Sequence, residues 1–477
     1  MVKALKQTPW PVALLILSFL CPTELSVYIG AARLPPHRAL LLVLLPLALF
    51  ALLGQRGIRP KIFDLLFLGF SVWTLFVYVH HHGSADGLQS GGALALDSFG
   101  SFLVARAFVR DERAFAGTAA TLLLAVGLTG LLAFPETVFG QIFVHDLLAQ
   151  VTGYVHQTAV EKRAGLTRAF ATFDHPIHLG TFCASSLALA MYAADKQVGA
   201  AARFVVIAAS SMMSLSSAPL LSLVAQLAFT GYERLTRGIN GRIAMGVACV
   251  VLAFAAVSMV TTRSPFALIA TGLTFDAWTG YYRLMIWENG LLNVWANPWL
   301  GIGLNDWERP MWMVSPSIDA FWLVIAIRGG IPAFLLLALG MAFLTRGVAV
   351  RLQGAGPVPS RIATGWIISL LALTLVGCTV HYWNVPFAYF FFFLGLGGCL
   401  VDPLKSAVRV DKLAPARPEE QRIRWLEPGE AAARTLQGGA GSSAPTAWIK
   451  SAPRWPVPAS SRDLADFTHA LEPALKR

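Results

Sequence analysis

Charge is scarce in this chain. Asp, Glu, Lys and Arg make up 13% of it, against 56% hydrophobic residues. Soluble domains average about 25% charged residues, so an ordinary soluble fold is excluded. Cysteine is scarce too: Cys21, Cys183, Cys249, Cys378 and Cys399 fall in or beside apolar runs with no paired spacing. That pattern argues against a disulfide framework or a zinc site. Nucleotide signatures are missing as well. There is no Walker lysine motif and no Asp-x-Asp pair of the kind that holds Mg²⁺ for nucleotide-sugar transfer. Gly301-Ile302-Gly303, after Pro298, lacks a third glycine and a strand-turn-helix setting, so it reads as a tight re-entrant turn. His80-His81-His82 ends an apolar run, and adjacent side chains on a helix point in different directions, which argues against a metal cluster. The sequence therefore calls for no cofactor and no metal.

What the chain has instead is about a dozen apolar runs, most of them long enough to cross a ~30 Å hydrocarbon core as helices. They lie near 11–30, 39–54, 62–80, 93–109, 115–135, 174–194, 202–216, 217–231, 242–260, 319–345, 362–380 and 384–401. Helices follow because an open sheet would leave backbone groups unpaired in lipid. The first run has the look of a signal peptide. Phe19-Leu20 before Cys21 offers no small-residue cleavage site, so it is expected to stay as a first span. The expected fold is an all-α polytopic membrane protein of about 12 transmembrane helices, with a large helical periplasmic loop between the ninth and tenth spans.

Basic residues fix an orientation. With Lys3 and Lys6 in the cytoplasm, the loops holding Arg56, Arg110, Arg234 and Arg346 all fall inside. Inner segments then carry about twice the Lys and Arg of outer ones, as the positive-inside rule requires. Both termini are expected to be cytoplasmic. The net charge of +11 is mainly topological, and the basic residues of the C-terminal tail are too sparsely patterned to argue for nucleic acid. Residues 1–401 form the expected membrane domain. Residues 402–477 are rich in Pro, Ala, Arg, Glu and Ser without apolar periodicity and are expected to be a disordered cytoplasmic tail.

Two outer loops exceed simple connectors, one from Pro135 to Asp174 and one over 261–318. The second holds many aromatics, and Leu284, Trp287, Leu291 and Val294 recur in it at helical spacing. The spacing predicts a helix lying on the outer membrane surface, with an aromatic belt anchor as the plainer reading. Arginines at this face run against the positive-inside grain: Arg33, Arg38, Arg163, Arg168, Arg263, Arg283 and Arg309. Arg328 falls inside the tenth span, where burial is costly unless it faces a polar cavity. Taken singly, each cation reads as snorkelling or as the partner of a local carboxylate, Arg168 with Asp174 and Arg283 with Glu288. Taken together, Arg168, Arg283 and Arg328 on one leaflet point to an anionic ligand, since guanidinium groups match phosphate oxygens bidentately. Asp319, at the start of a membrane helix, is either a helix-dipole partner or a general base for an attacking hydroxyl. His175, at a span mouth, competes for that role or is an interfacial hydrogen-bonding residue. Asp97 and Glu24 read as buried polar helix contacts, with a proton-coupled role as the alternative.

The order Arg-x-x-x-Thr-Phe-x-His-Pro (168–176), Arg-Leu-Met-Ile-Trp (283–287), Asn-Pro-Trp-Leu-Gly-Ile-Gly (297–303) and Ser-Ile-Asp-Ala-Phe-Trp-Leu (317–323) resembles the O-antigen ligase and Wzy-type polysaccharide polymerase superfamily. Gly329-Gly330-Ile331-Pro332 extends the likeness, which spans about residues 10–400 and is sharpest over 165–335. The resemblance implies a bacterial inner-membrane glycosyltransferase with an outward-facing site. Its donor would be a polyprenyl-diphosphate-linked oligosaccharide and its acceptor another lipid-linked glycan or a lipid core. Further partners would be the bilayer and other polysaccharide assembly and export proteins. Arg168 and Arg283 match arginines held in that family to bind the donor diphosphate; Arg328, Gly301 and Gly303 join them as substrate-binding candidates. Asp319, Glu288 or His175 would take the acceptor proton. Two departures, Ile318-Asp319 where the ligases carry His-Asn and Ser214-Leu-Ser216-Ser217-Ala218-Pro219 where they carry Ser-Arg in the turn between the seventh and eighth spans, lean toward an exopolysaccharide polymerase. A lipid-linked saccharide transporter or flippase is the alternative. Intramembrane charges and Gly/Pro-broken spans fit it, but a matched pair of interrupted helices in two halves is missing.

Overall fold

The computed structural model describes residues 5–30, 32–54, 60–153, 159–193, 197–239, 241–260, 277–352 and 357–402. By contacts the chain divides into two units, Met1–Arg409 and Val410–Arg477. The tail from 403 onward and the first part of the outer loop, 261–276, lie outside the described residues, so the disorder expected of the tail falls there too.

The described chain is mostly helical, as its apolar runs require. Four stretches are long and apolar enough to cross a bilayer by length and composition: Pro36–Leu53, Ile62–Phe108, Glu112–Phe139 and Phe321–Leu352. In order, the first elements are α1 (Trp10–Ser18), strands β1 (Val27–Ile29) and β2 (Ala32–Leu34), α2 (Pro36–Leu53), α3 (Ile62–Ala95) and α4 (Ser101–Phe108). Then come α5 (Glu112–Phe139), α6 (Phe143–Thr152), strands β3 (Lys162–Arg163) and β4 (Leu166–Thr167), α7 (Pro176–Ser185), α8 (Leu187–Tyr192), α9 (Gln197–Met212), α10 (Ser217–Leu235) and α11 (Arg242–Val260). The last four are α12 (Ala277–Ala296), α13 (Phe321–Leu352), α14 (Pro357–Val376) and α15 (Val385–Val401). The two strand pairs are antiparallel hairpins, with Val27 opposite Leu34 and Lys162 opposite Thr167.

Within the first expected span, 11–30, the regular helix α1 covers nine residues, about 14 Å at 1.5 Å per residue. Cys21-Pro22 halts it, and the chain turns through a 3-10 segment that buries Glu24 against His145 of α6 at 2.7 Å. The second crossing candidate, Ile62–Phe108, is not one rod. Gly83 breaks α3 at φ 77°, ψ 178°, and the chain doubles back on itself. A Cβ at Gly87 would lie 2.4 Å from the Val79 Cα, and Gly91 packs on Leu75 and Tyr78. Ser71 and Ser98 share a 2.7 Å hydrogen bond lower in the same hairpin.

The core sits on α15, whose residues from Val385 to Leu400 are all buried. A helix that is apolar all round belongs in the interior. Phe391 stacks on Phe70 of α3 at 5.4 Å, and Phe393 on Trp366 of α14 at 6.1 Å. At one end of this bundle Arg106 is buried between Asp64 (3.2 Å) and Asp402, with Phe63 beneath its guanidinium. Removing either carboxylate would leave a buried cation short of a partner.

Candidate functional site

The strand hairpin sets the first part of the site. Ala164 (φ 50°) and Gly165 (φ 80°) form its two-residue turn; positive φ at both central positions suits a tight antiparallel hairpin. Arg163 lies in the first strand and Arg168 just beyond the second. Arg168, 4% exposed, pairs with Glu161 and donates to Ser216 Oγ at 2.9 Å and to the Ser214 carbonyl at 3.4 Å. Arg163 donates to the Leu215 carbonyl at 3.0 Å. The two arginines thus grip the turn between α9 and α10. Glu136 of α5 secures the following segment by accepting the amides of Phe170 (2.9 Å) and Ala171 (2.7 Å).

Arg283 comes from the predicted loop helix, α12. It is 7% exposed and its Nε has no hydrogen-bond partner. Its pKa is lowered, first by burial and then by Arg163, while Asp319 works the other way. Arg168 is likewise lowered, first by burial, then by Arg163, with Arg283 adding to it. Arg163, Arg168 and Arg283 therefore share one electrostatic neighbourhood, where burial and like charge disfavour the cations.

The local partners expected of these arginines are corrected. Asp174 does not hold Arg168; it accepts from Thr23 at 2.6 Å and Asn384 at 2.8 Å. Glu288 is exposed and forms no ion pair with Arg283 among the described residues. Five positions along a helix turn a side chain by about 140°, so the two cannot face each other. The apolar stripe of α12 is also shifted. Arg283, Ile286, Gly290, Asn293 and Val294 are buried, while Leu291 is exposed.

Of the three proton-acceptor candidates, Asp319 is the one near the arginines. It is half-buried, feels Arg283, and accepts from Ser317 Oγ at 2.6 Å. His175 is the N-cap of α7, with its Nδ1 accepting the Ile177 amide at 3.1 Å. That lone pair is engaged, so Nδ1 is not open to a hydroxyl proton.

Gly301 (φ 58°) and Gly303 (φ 60°) build a turn against α13. α13 breaks at Gly330 (φ 74°, ψ 177°), just before Pro332. The break frees carbonyls that a helix would normally satisfy. Ile302 and Gly303 amides bond the carbonyls of Ile327 (2.9 Å) and Arg328 (3.0 Å), and the Ile331 amide bonds Pro298 O at 2.8 Å. Trp73 Nε1 takes the Gly329 carbonyl at 2.8 Å. A Cβ at Gly301 would sit 2.4 Å from the Ile327 oxygen, so the approach requires glycine. The turn is thereby fixed to the backbone of Ile327 and Arg328. His81 and His82 pack on the same turn, His82 Nε2 accepting the Leu304 amide at 2.7 Å. Among the described residues no cluster of three or more His, Cys, Asp and Glu has metal-holding geometry.

Arg328 is half-buried and lines a cavity of about 300 Å³ with Arg38, Tyr78, His381, Trp383 and Asn384. Tyr78 stands beside it in that cavity, and no carboxylate among the described residues lies within ion-pair distance. Arg38, by contrast, is balanced by Asp97, with Nε–Oδ2 at 2.9 Å and Nη2–Oδ2 at 2.6 Å. The expected polar contacts of Asp97 and Glu24 are thus real, and both sit in buried pairs. On the other face of the start of α13, Trp287, Trp295, Trp322, Leu323, Ala326 and Phe334 head an apolar groove of about 820 Å³ that runs on to Thr345.

Arg163, Arg38, Glu136 and Asn384 are the site residues that the sequence reading did not single out. For Arg163 and Arg38 the signal was present, because both are outer-loop cations against the charge rule. For Glu136 and Asn384 there was none: each acts through contacts remote in sequence. No protein-family model matches the chain, and a search of curated proteins finds no match.

Proposed function

We propose that this chain is a bacterial inner-membrane glycosyltransferase of the polysaccharide polymerase or O-antigen ligase kind. It transfers a glycan from a polyprenyl-diphosphate carrier to a lipid-linked acceptor in exopolysaccharide or O-antigen assembly. One juxtaposition carries this reading. Arg283, a nearly buried cation with an unpartnered Nε, lies one helical turn from Trp287, at the head of the 820 Å³ apolar groove. A ligand suited to both is an amphiphile with an anionic head and a long apolar chain, which is what a polyprenyl diphosphate is.

In the transfer, an acceptor hydroxyl oxygen attacks the anomeric carbon of the donor sugar. The bond from that carbon to the diphosphate oxygen breaks, and its electron pair leaves on the diphosphate. The hydroxyl proton passes to a carboxylate, and Asp319 is the one within electrostatic reach of the cation cluster. Arg163, Arg168 and Arg283 stabilise the departing charge with preorganised N–H donors, without a metal ion.

The reading includes about 12 spans, cytoplasmic termini and an outer 261–318 loop, in the orientation that the charge bias favours. Residues expected on a common side do meet: Asp64 with Arg106 and Asp402, Tyr192 with Glu233, Arg168 with Ser216. In a cysteine-free background, a cysteine at Met311 should label from outside and one at Arg237 should not; equal labelling would refute the orientation. Function is tested in cells carrying Arg168→Lys, Arg283→Lys or the glutamine variants at matched protein abundance. Repeat units should accumulate on the lipid carrier while long polymer disappears. Near-normal polymer in both series would move the phosphate site elsewhere, with Arg328 next in line.

A further inference from the structure

A second lipid-facing groove lies between α2 and the two arms of the α3 hairpin. It measures about 610 Å³, is walled by Leu42, Leu68, Val72 and Leu88, and has Arg33 and Arg38 at its polar end. Those four apolar side chains are exposed and stand on segments long and apolar enough to cross a bilayer. Arg38, Ser90 and Ala93 line this groove and also the 300 Å³ cavity that holds Arg328. The groove therefore adjoins a chamber whose other walls are Trp383, Asn384 and Tyr78.

The first turns of α13 separate this chamber from the groove beside Arg283. Phe321, Val324 and Arg328 face the chamber, while Trp322, Leu323 and Ala326 face the groove. Two apolar channels thus reach the cation-bearing end of the molecule from two sides of one helix. A single lipid-borne substrate would need one of them.

We propose that the groove beneath Arg33 and Arg38 holds a second lipid-linked anionic glycan, the acceptor, with its first sugars in the Arg328 chamber. The proposal rests on the glycosyltransferase reading and adds to it where the acceptor sits. The apolar chain lies along Leu42, Leu68 and Leu88. Arg38 at the polar end is balanced by Asp97, and the Arg33 guanidinium complements a phosphate. Arg328 has no competing carboxylate, and the Trp383 face with Asn384 beside it suits a saccharide, which has apolar faces and hydroxyl edges.

The test counts polyprenyl diphosphate bound to the purified full-length chain by native mass spectrometry. Gly92 lines the second groove, and nothing lies within 4 Å of a Cβ placed there, so Gly92→Trp fills the groove without a backbone clash. Ala342→Trp fills the other groove, and Gly92→Ala controls for folding. The wild type and Gly92→Ala should bind two lipids, and each tryptophan variant one. Gly92→Trp should also stop elongation while its thermal midpoint stays with that of Gly92→Ala. One bound lipid in the wild type, two in Gly92→Trp, or displacement of the second lipid by phosphatidylglycerol would overturn the proposal. If Ala342→Trp loses a lipid while Gly92→Trp keeps both, the acceptor site falls and the donor site stands. If both variants keep two, the donor groove falls as well.

Discussion

Replacing Arg283 should push activity and stability in opposite directions. The residue is 7% exposed, its Nε is unpartnered, and Arg163 and Arg168 are its electrostatic neighbours. A buried charge with incomplete compensation carries an effective penalty of several kcal/mol, which an apolar replacement removes. Asp319 attracts Arg283 but lies outside ion-pair distance and is itself only half-buried, so its loss of a partner offsets part of that gain. Arg283→Met should therefore keep or raise the thermal midpoint in detergent. In the proposed transfer the same change removes a donor to the leaving diphosphate, where one preorganised donor is worth about 10²–10³ in turnover, or about 2.7–4 kcal/mol. Arg283→Lys should rescue little, because an ammonium retains charge but not the planar fork. The assay pairs thermal unfolding with glycan elongation by the same purified samples. A parallel fall in both quantities would make Arg283 a structural cation and refute the reasoning.

Gly301→Ala should cost about 1–3 kcal/mol of stability and reduce elongation, because it forces an alanine into positive φ and drives a Cβ to 2.4 Å from the Ile327 oxygen; unchanged unfolding would mean that the turn yields freely. Asp319→Asn should lower turnover by about 10²–10⁴, the usual range for a general base, whereas Glu288→Gln should leave it near normal; equal effects in elongation assays would remove Asp319 from its role. His381 is held at a pKa of about 3, first by burial and then by the Arg328 guanidinium, so it stays neutral in the folded chain while the unfolded chain binds a proton below about 6.5. Its contribution to stability is full above that pH and is lost as pH falls toward 3; His381→Asn should flatten the decline of the thermal midpoint between pH 6.5 and 4.5, and an unchanged slope would rule this group out. Truncation after residue 410 should leave polymer production intact, with loss of product at normal membrane levels of protein as the contrary result.

The helical plan was legible because long apolar runs in a low-charge chain have few other uses. α12 was legible from its spacing, yet its buried face was misjudged by about one position, because Arg283 and Asn293 turn inward where hydrophobicity alone would turn them out. The fold-back at Gly83 left a sequence signal that went unread: Gly83, Gly87 and Gly91 recur every fourth residue, the small-residue spacing that lets helices touch. The cations were visible as exceptions to the charge rule. Their partners were not: Asp174 and Glu288 were the carboxylates expected, while Glu161, Ser214 and Ser216 hold Arg168. The reason Asn-Pro-Trp-Leu-Gly-Ile-Gly must end in paired glycines lies in the broken α13 backbone beneath it, which no local pattern encodes.

The most direct measurement places the purified chain in liposomes with a synthetic polyprenyl-diphosphate-linked oligosaccharide and follows free polyprenyl diphosphate and glycan length together. One carrier diphosphate should be released per glycan transferred, with both signals abolished in Arg283→Gln. Movement of intact lipid-linked oligosaccharide between leaflets, with no carrier released and no glycan lengthened, would contradict glycosyl transfer and make the chain a transporter.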